Sequence, residues 1–366
     1  MVSLRSIASH DGTCRTWSWR MHSTMYPVLH ERGRQCTAPE SKQPTASCYP
    51  GSMRAVADQI AQKSRRMRFQ RNQRAHIQLT PDDIAILGFV DRHRFLRSTH
   101  LARLIPHRSY KKLIERLCDL YHNGYLDRPR AQLDAYTRSG STPMVYALGN
   151  RGAEVLSEEG TTSIDWTDKN RSVGRPFIDH TLLVADVMVA ATGAVRSRPD
   201  VVLIDTAQIV DGVRPSRANP LKLAAETIVD GRKRELALVP DALFGLDFTI
   251  ERKRKYFLVE ADNGTMPIVR SDLEQTSFAR KLMTYLAGGG QANRFGQQLG
   301  IGNFRVLTVT TSAERVASML QALKTLTNGN GSAQFLFTDR AALLASSDLL
   351  SLEWTTGKGD LVTLSD

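Results

Sequence analysis

The chain has 366 residues, of which 41% are hydrophobic and 23% charged, and its formal net charge is +12. This composition is ordinary for globular proteins and leaves room for two domains, so it excludes a chain that is disordered throughout. It contains no run of about 18 apolar residues. We therefore predict no membrane-spanning helix and no membrane partner, and we expect a cytoplasmic protein.

Most of the positive charge lies at the N-terminus, where residues 1–75 carry 13 Lys and Arg against 4 Asp and Glu. Residues 1–52 show no helical or strand periodicity. Met53 is an alternative translation start. We predict that residues 1–78 form a disordered or basic N-terminal arm. Such an arm suits attraction to nucleic acid phosphates, although a solvated tail has the same composition.

The cysteines carry little information about metal or disulfide chemistry. Cys14, Cys36 and Cys48 lie in the irregular N-terminal segment at spacings that match neither a zinc site nor a disulfide framework, and Cys118 lies in an apolar helical pattern. A reducing compartment fits this usage best.

Residues 79–158 contain the signals of a small helical domain. Thr80 and Pro81 are a good N-cap and first residue for a helix, a second short helix is predicted from Ser98 or Thr99 to Leu104, and Ser109 begins a third that ends at Asn123-Gly124. Strands are predicted at 125–128 and 145–148, and a closing helix at about 152–158.

This order of elements predicts a winged helix, a helix-turn-helix variant that places its third helix in the major groove. The predicted contacts to double-stranded DNA are Tyr110, Lys111, Lys112, Arg116, Arg128, Arg130 and Arg138. Two alternatives remain open at this point: lysines of this kind occur on any surface helix, and winged helices also bind proteins.

A second domain is predicted after a polar linker at residues 159–175. It spans residues 176–338 and is followed by a C-terminal tail at 339–366. Its predicted elements are a helix at 178–195, strands at 201–210, 242–248 and 256–259, a helix at 273–286, a strand at 304–310, a helix at 313–326 and a strand at 335–337.

The strands at 242–248 and 256–259 form a predicted hairpin that carries three carboxylates. Residues two apart on a strand share a face, so pairing of the hairpin is expected to bring Asp241 close to Glu260 and Asp262. Clustered carboxylates repel one another unless a cation offsets them, and oxygen-rich sites suit Mg²⁺ or Mn²⁺. The three residues are therefore the predicted metal ligands, with Mg²⁺ as the cofactor.

The second domain resembles the restriction-endonuclease-like αβββαβ core, whose signature is PD-(D/E)xK. Pro240-Asp241 matches the first half of the signature, and Glu260-Ala261-Asp262 matches the second half with Asp262 in the place of the catalytic lysine. The resemblance implies a catalytic set of Asp241, Glu260, Asp262, Lys281 and His180, in which Lys281 replaces the missing lysine. Alternatively, Lys281 is a surface residue paired with Asp272 or Glu274, and His180 is a capping or core histidine.

Five segments together resemble the bacterial replication-relaxation family over residues 79–311. They are YALGNRGAEVL, RPFIDHTLLVADVMVA, VPDALF, FLVEADNGT and FARKLMTYLAGG, in this order. The resemblance implies an α/β protein, α+β overall, that acts in plasmid replication and mobilisation. It also implies a relaxase or replication protein as partner and is compatible with a homodimer.

Two functions fit these sequence features. The preferred one is a non-catalytic DNA-binding accessory protein, in which the nuclease-like domain is a scaffold for dimerisation or partner contact. The alternative is a Mg²⁺-dependent endonuclease that the winged helix directs to DNA.

Overall fold

The computed structural model describes residues 68–137, 142–157, 165–211, 219–229, 231–270 and 275–366. All of these belong to one compact unit, Val56–Asp366. Residues 1–67 of the predicted arm lie outside the described residues, whereas residues 71–78 form no helix or strand and contact the fold, for example through the Arg71 guanidinium and the Tyr121 carbonyl.

Three helices open the described fold, and local signals in the sequence account for two of their starts. The helices are α1 (Pro81–His93), α2 (Ser98–Leu104) and α3 (Tyr110–His122). Thr80 caps α1 in a reciprocal capping box with Asp83, and the Ser109 side chain accepts a hydrogen bond at the start of α3. The predicted starts of α1 and α3 are therefore confirmed.

A small antiparallel sheet packs beside these helices, with strands in the order β1, β3, β2. Its strands are β1 (Leu96–Arg97), β2 (Leu126–Asp127) and β3 (Val145–Leu148), and a 3₁₀ helix, Arg130–Thr137, follows β2. Helix α4 (Asn150–Leu156) closes this part of the chain. We call residues 79–157 the three-helix region. Its elements run in the predicted order, with the two-residue β1 and the 3₁₀ helix as unpredicted additions.

The predicted linker at 159–175 is partly helical. Residues 158–164 lie outside the described residues, but Trp166–Arg171 form helix α5, which the Asp165 side chain caps. Helix α6 (Arg175–Arg196) begins at the last residue of the predicted linker.

The main sheet has seven strands in the order β12, β11, β10, β9, β8, β7, β4. Its strands are β4 (Val201–Ile204), β7 (Ala242–Phe248), β8 (Lys253–Ala261), β9 (Phe304–Thr310), β10 (Phe335–Asp339), β11 (Trp354–Thr356) and β12 (Leu361–Val362). β4, β7 and β8 form an antiparallel meander, and β8, β9 and β10 run parallel. The predicted α/β class is confirmed. We call residues 175–366 the sheet region.

The remaining helices of the sheet region cover or connect its strands. They are α7 (Thr206–Asp211), α8 (Phe278–Gly288), α9 (Arg294–Leu299), α10 (Ala313–Leu326) and α11 (Arg340–Ala345), with a short 3₁₀ helix at Gly290–Ala292. The strand predicted at 201–210 is wrong in its second half, because α7 begins at Thr206.

A separate hairpin was not predicted from the sequence. Strands β5 (Leu223–Val229) and β6 (Arg232–Leu238) pair with each other and with no strand of the main sheet. Leu223, Ala225 and Leu238 from the hairpin join the apolar cluster that contains α8 and α10.

The prediction of a C-terminal tail at 339–366 is wrong. Strand β11 pairs with β10, and β12 pairs with β11, so this segment extends the sheet. Trp354 and Leu364 have no exposed surface and belong to the core between the sheet and α6. Burial of such side chains is the main favourable term in folding.

Helix α6 belongs to the cores of both regions. Leu183 and Val187 pack in the sheet cluster, whereas Ala185 and Val189 pack in the cluster of the three-helix region. By length and composition α6 could cross a membrane, but half of its most apolar window is buried inside the protein, as in core helices of soluble proteins.

A buried carboxylate on α6 also joins the two regions. Asp186 accepts hydrogen bonds at 2.6 Å from Arg97 Nη1 and from His100 Nε2, both in the three-helix region, and Arg340 Nη2 lies at 3.5 Å. The Arg196 guanidinium donates to the carbonyl groups of Arg103 and Leu104.

Candidate functional site

The β7–β8 hairpin positions the first two predicted site residues. Ala242 pairs with Val259, and the Asp241 N–H donates to the Val259 carbonyl at 3.0 Å, so Asp241 lies at the start of β7 beside the end of β8. Asp241 Oδ2 accepts a hydrogen bond from the Ala261 N–H at 2.8 Å. The register therefore brings Asp241 next to Glu260, as the sequence predicted.

Glu260 is the least exposed of the three carboxylates, at 2%. Its Oε1 accepts a 2.5 Å hydrogen bond from the Tyr285 hydroxyl, and its Oε2 accepts one from the Lys281 ammonium. Lys281 and Tyr285 are four residues apart on α8 and so lie on the same face of the helix. Lys281 is therefore half-buried in the site rather than on the open surface, and its two alternative partners, Asp272 and Glu274, lie outside the described residues.

Burial has a large effect on the proton affinity of this pair. Burial raises the pKa of Glu260 to about 7, although the nearby Lys281 charge works against the rise. Burial also lowers the pKa of Lys281, but the charges of Glu260 and Asp241 outweigh it, and the pKa lies above its ordinary value. We conclude that Lys281 keeps its proton and that Glu260 titrates near neutral pH.

Asp241 is paired with His180 from α6. His180 Nε2 lies 3.2 Å from Asp241 Oδ1, and this hydrogen bond is the largest influence that raises the pKa of His180. Burial works to raise the pKa of Asp241, yet the His180 hydrogen bond and the Lys281 charge hold it below its ordinary value.

Asp262 has a third, separate basic partner. Arg315 from α10 binds both of its carboxylate oxygens, with Nη2 at 2.9 Å from Oδ1, and the Thr310 hydroxyl donates to Oδ2 at 2.6 Å. The Arg315 guanidinium also donates to the Met266 carbonyl at 2.6 Å. A bidentate contact of this kind is the strongest form of carboxylate pairing.

The three carboxylates do not fit a divalent metal in this arrangement. Asp241, Glu260 and Asp262 each have a basic partner of their own, and both oxygens of each carboxylate already accept hydrogen bonds. Within the described residues, no group of three or more His, Cys, Asp or Glu side chains is placed to hold a metal ion. The expectation that the three converge on one cation is therefore not met.

The predicted site residues line two different clefts among the described residues. The Glu260 cleft has a volume of about 680 Å³ and is lined by Glu260, Asp262 and Lys281. Asp241 lines a second cleft of about 580 Å³, on the side of α1. His180 borders both clefts. The Glu260 cleft is also lined by Val145 of the small sheet, so it lies between the two regions.

The predicted DNA contacts at the start of α3 are exposed. Lys111 and Lys112 are exposed, and neither makes a hydrogen bond or ion pair from its side chain within the described residues. Tyr110 is 50% exposed, and its hydroxyl lies 3.1 Å from the Ser98 hydroxyl. Arg130 is also exposed, at the start of the 3₁₀ helix, whereas Arg138 lies outside the described residues.

Two predicted DNA contacts are instead used inside the protein. Arg116 binds the fully buried carboxylate of Asp83 and the Gln78 carbonyl. Arg128 is 8% exposed, and its guanidinium donates to the Arg68 carbonyl and stacks over the Tyr121 ring. Neither guanidinium is free at the surface: Arg116 neutralises a buried acid, which helical spacing alone cannot reveal, and Arg128 follows strand β2 and is held by a carbonyl group and an aromatic ring.

Comparison with protein families gives a match to the replication-relaxation family over residues 87–297, more than half of the chain. The chain belongs to this family. The predicted family is therefore confirmed, and membership supports a role connected with replication or mobilisation. The chain matches no curated protein and no solved structure. The likeness to PD-(D/E)xK nucleases stays a prediction.

Two residues of this replication-relaxation protein's site were not predicted from the sequence. Tyr285 could have been found, because it follows Lys281 by four residues and therefore shares its helical face. Arg315 could not, because it lies 53 residues beyond Asp262 on a helix that follows a different strand.

Proposed function

We propose that the chain is a DNA-binding accessory protein in the replication or mobilisation of a plasmid or mobile element. It binds duplex DNA through the N-terminal end of α3. The observation that carries the proposal is the pair Lys111 and Lys112, exposed and without a carboxylate partner among the described residues. Recognition helices of helix-turn-helix proteins contact DNA with their N-terminal residues.

The surroundings of this helix end support the same function. Tyr110 at the start of α3 is half-exposed, and Arg103 on the preceding helix α2 is a further exposed cation. The α3 helix itself is held rigidly, because Leu113, Leu117 and Leu120 have no exposed surface. A rigid helix with exposed cations at one end suits contacts to DNA phosphates, which fix the position of a protein on the duplex but do not read its sequence.

The test is a titration of duplex DNA with the Lys111→Gln/Lys112→Gln variant over a range of salt concentrations. Each lost phosphate contact is expected to reduce the slope of log K against log salt by about 0.9, so the slope should fall by roughly two units. The matched control is Lys324→Gln/Lys358→Gln, which removes the same charge from two exposed lysines elsewhere. Equal slopes for both variants and wild type would exclude α3 as the DNA contact.

An endonuclease is the second candidate, favoured by one observation. Lys281 lies beside Glu260 and contributes to the electrostatics of Asp241, so the three groups of a nuclease-like signature share one neighbourhood. The misfit of a metal argues against this activity. Incubation of supercoiled plasmid with Mg²⁺ or Mn²⁺ decides between the two candidates. We expect no nicking; nicking that disappears in Asp241→Ala and Glu260→Ala would establish the endonuclease.

A further inference from the structure

A small pocket lined by arginines lies at the far end of α3 from Lys111. It has a volume of about 290 Å³ and lies between the end of β2, the C-terminal end of α3 and helix α5. Its charged lining residues are Arg71, Asp127, Arg128, Arg130 and Arg171. We call it the arginine pocket.

The arginine pocket has a large excess of positive charge. Among the described residues that line the pocket, four guanidinium groups face one carboxylate, Asp127, so this lining carries a formal charge of +3. Asp127 is already engaged: the Arg128 N–H donates to Oδ1 at 2.9 Å, the Asn170 amide lies 3.3 Å from Oδ2, and Arg71 lies at 3.5 Å. Like charges held close together repel, and an anion between them removes that cost.

Two of the arginines form a fixed wall. The Arg128 guanidinium lies 4.2 Å from the centre of the Tyr121 ring, and that of Arg71 lies 5.4 Å from the same ring. Arg71 also donates to the Tyr121 and Leu126 carbonyl groups at 3.2 Å. Side chains that are held in this way lose little conformational freedom when a ligand binds.

The other two arginines are free to close on a ligand. Arg130 and Arg171 are exposed, and neither side chain forms a hydrogen bond or an ion pair among the described residues. The buried wall also contains an N–H donor without a hydrogen-bond partner in that part of the chain, Arg128 Nε.

We infer that the arginine pocket binds a phosphate group. Guanidinium groups match the geometry of phosphate oxygens through paired N–H donors, and the pocket has the size of a phosphate or a small phosphate compound. The phosphate belongs either to a free compound or to the DNA backbone. The second source rests on the proposed function: Tyr121 lies about 15 Å along α3 from Lys111, so one duplex could reach both ends of the helix.

The first arm of the test is isothermal titration of pyrophosphate and of a 5′-mononucleotide into wild type and Arg130→Gln/Arg171→Gln. We expect saturable binding that weakens by about tenfold or more in the variant, a change of about 1.4 kcal/mol. Arg232→Gln/Arg294→Gln is the matched control, because both of its arginines are distant in sequence from the pocket. Binding that is equal in the two variants would place the ligand elsewhere and overturn the inference.

The second arm measures duplex DNA affinity of the same variants against salt. If the phosphate belongs to DNA, Arg130→Gln/Arg171→Gln should lower the log K against log salt slope by about one or more, as Lys111→Gln/Lys112→Gln should at the other end of α3. The inference about the arginine pocket is overturned if the slope changes only in the lysine variant and neither small phosphate compound binds. The proposed function would then remain intact. Pyrophosphate binding without any binding of duplex DNA would support the arginine pocket and overturn the proposed function.

Discussion

Lys281 donates a hydrogen bond to Glu260 and so places an ammonium group beside the least exposed carboxylate of the site. In the same way, His180 is paired with Asp241, and Arg315 is paired with Asp262. The site therefore carries its own cations in the neighbourhood where the nuclease-like signature predicts a metal.

Removal of the Lys281 ammonium should create a site for divalent cations. A unit charge about 4 Å away contributes on the order of 4 kcal/mol at an effective dielectric constant of about 20, so Lys281→Ala should bind Mn²⁺ about tenfold or more tightly than wild type. Isothermal titration of Mn²⁺ measures the change, with Lys324→Ala as the control for loss of an exposed lysine. Identical curves for wild type and Lys281→Ala would show that Lys281 does not keep metal out.

The free energy of unfolding of wild type should fall relative to that of Glu260→Gln as the pH rises from about 4.5 to 7. The pKa of Glu260 is about 7 in the folded protein and 4.5 is its ordinary value, so in this window the folded state binds more protons than the unfolded state. Stability from this group is fully present below pH 4.5 and is lost toward pH 7, by up to about 3 kcal/mol.

Urea denaturation of wild type and Glu260→Gln between about pH 4.5 and 8 tests this assignment. Burial lowers the pKa of His93 to about 4, so His93 makes both proteins more stable as the pH rises toward 6.5, and the contribution of Glu260 is the difference between the two curves. The pKa of His180 is raised, so its contribution is present below pH 6.5 and is lost as the pH rises through its folded value. That part of the decline should remain in Glu260→Gln. Parallel curves for both proteins would mean that Glu260 does not titrate in this range.

Arg116 should affect stability rather than DNA binding. It is the basic partner of Asp83, which has no exposed surface, and loss of one member of a buried ion pair typically costs about 3 to 5 kcal/mol. Arg116→Ala should therefore lower the melting temperature strongly. Lys112→Ala, four residues earlier on the same helix and exposed, is the control and should change stability by less than about 0.5 kcal/mol. Equal melting temperatures would show that Asp83 does not depend on Arg116.

Local signals explain which parts of the fold could be predicted from the sequence. Thr80 and Ser109 marked the starts of α1 and α3, and the hydrophobic pattern of residues 242–248 predicted strand β7 with its observed bounds. The segment after Asp339 was missed because its strands have only three and two residues. The pairing of β11 with β10 and of β12 with β11 depends on the burial of Trp354 and Leu364 in the core, which no local pattern reports.

The difference between local signals and tertiary contacts also explains why only part of the candidate site was predicted. Hairpin register is local, and it correctly placed Asp241 beside Glu260. The partners that decide what the carboxylates can do come from distant helices: Lys281 on α8, His180 on α6 and Arg315 on α10. The sequence suggested Lys281 and His180 only through the resemblance to a nuclease-like core, and nothing in it pointed to Arg315.

Asp186 should be the residue on which the link between the three-helix region and the sheet region depends most. Its side chain is 1% exposed and neutralises Arg97 and Arg340 while accepting a hydrogen bond from His100. Asp186→Asn keeps the shape of the side chain but leaves two guanidinium groups without their carboxylate, so a loss of about 3 kcal/mol or more is expected. Asp179→Asn, on the same helix, removes a carboxylate that is 38% exposed and pairs with Arg175 at the surface. That change should cost less than about 1 kcal/mol. Urea denaturation of both variants at about pH 7 gives the comparison, and equal losses would show that Asp186 contributes no more than a surface ion pair.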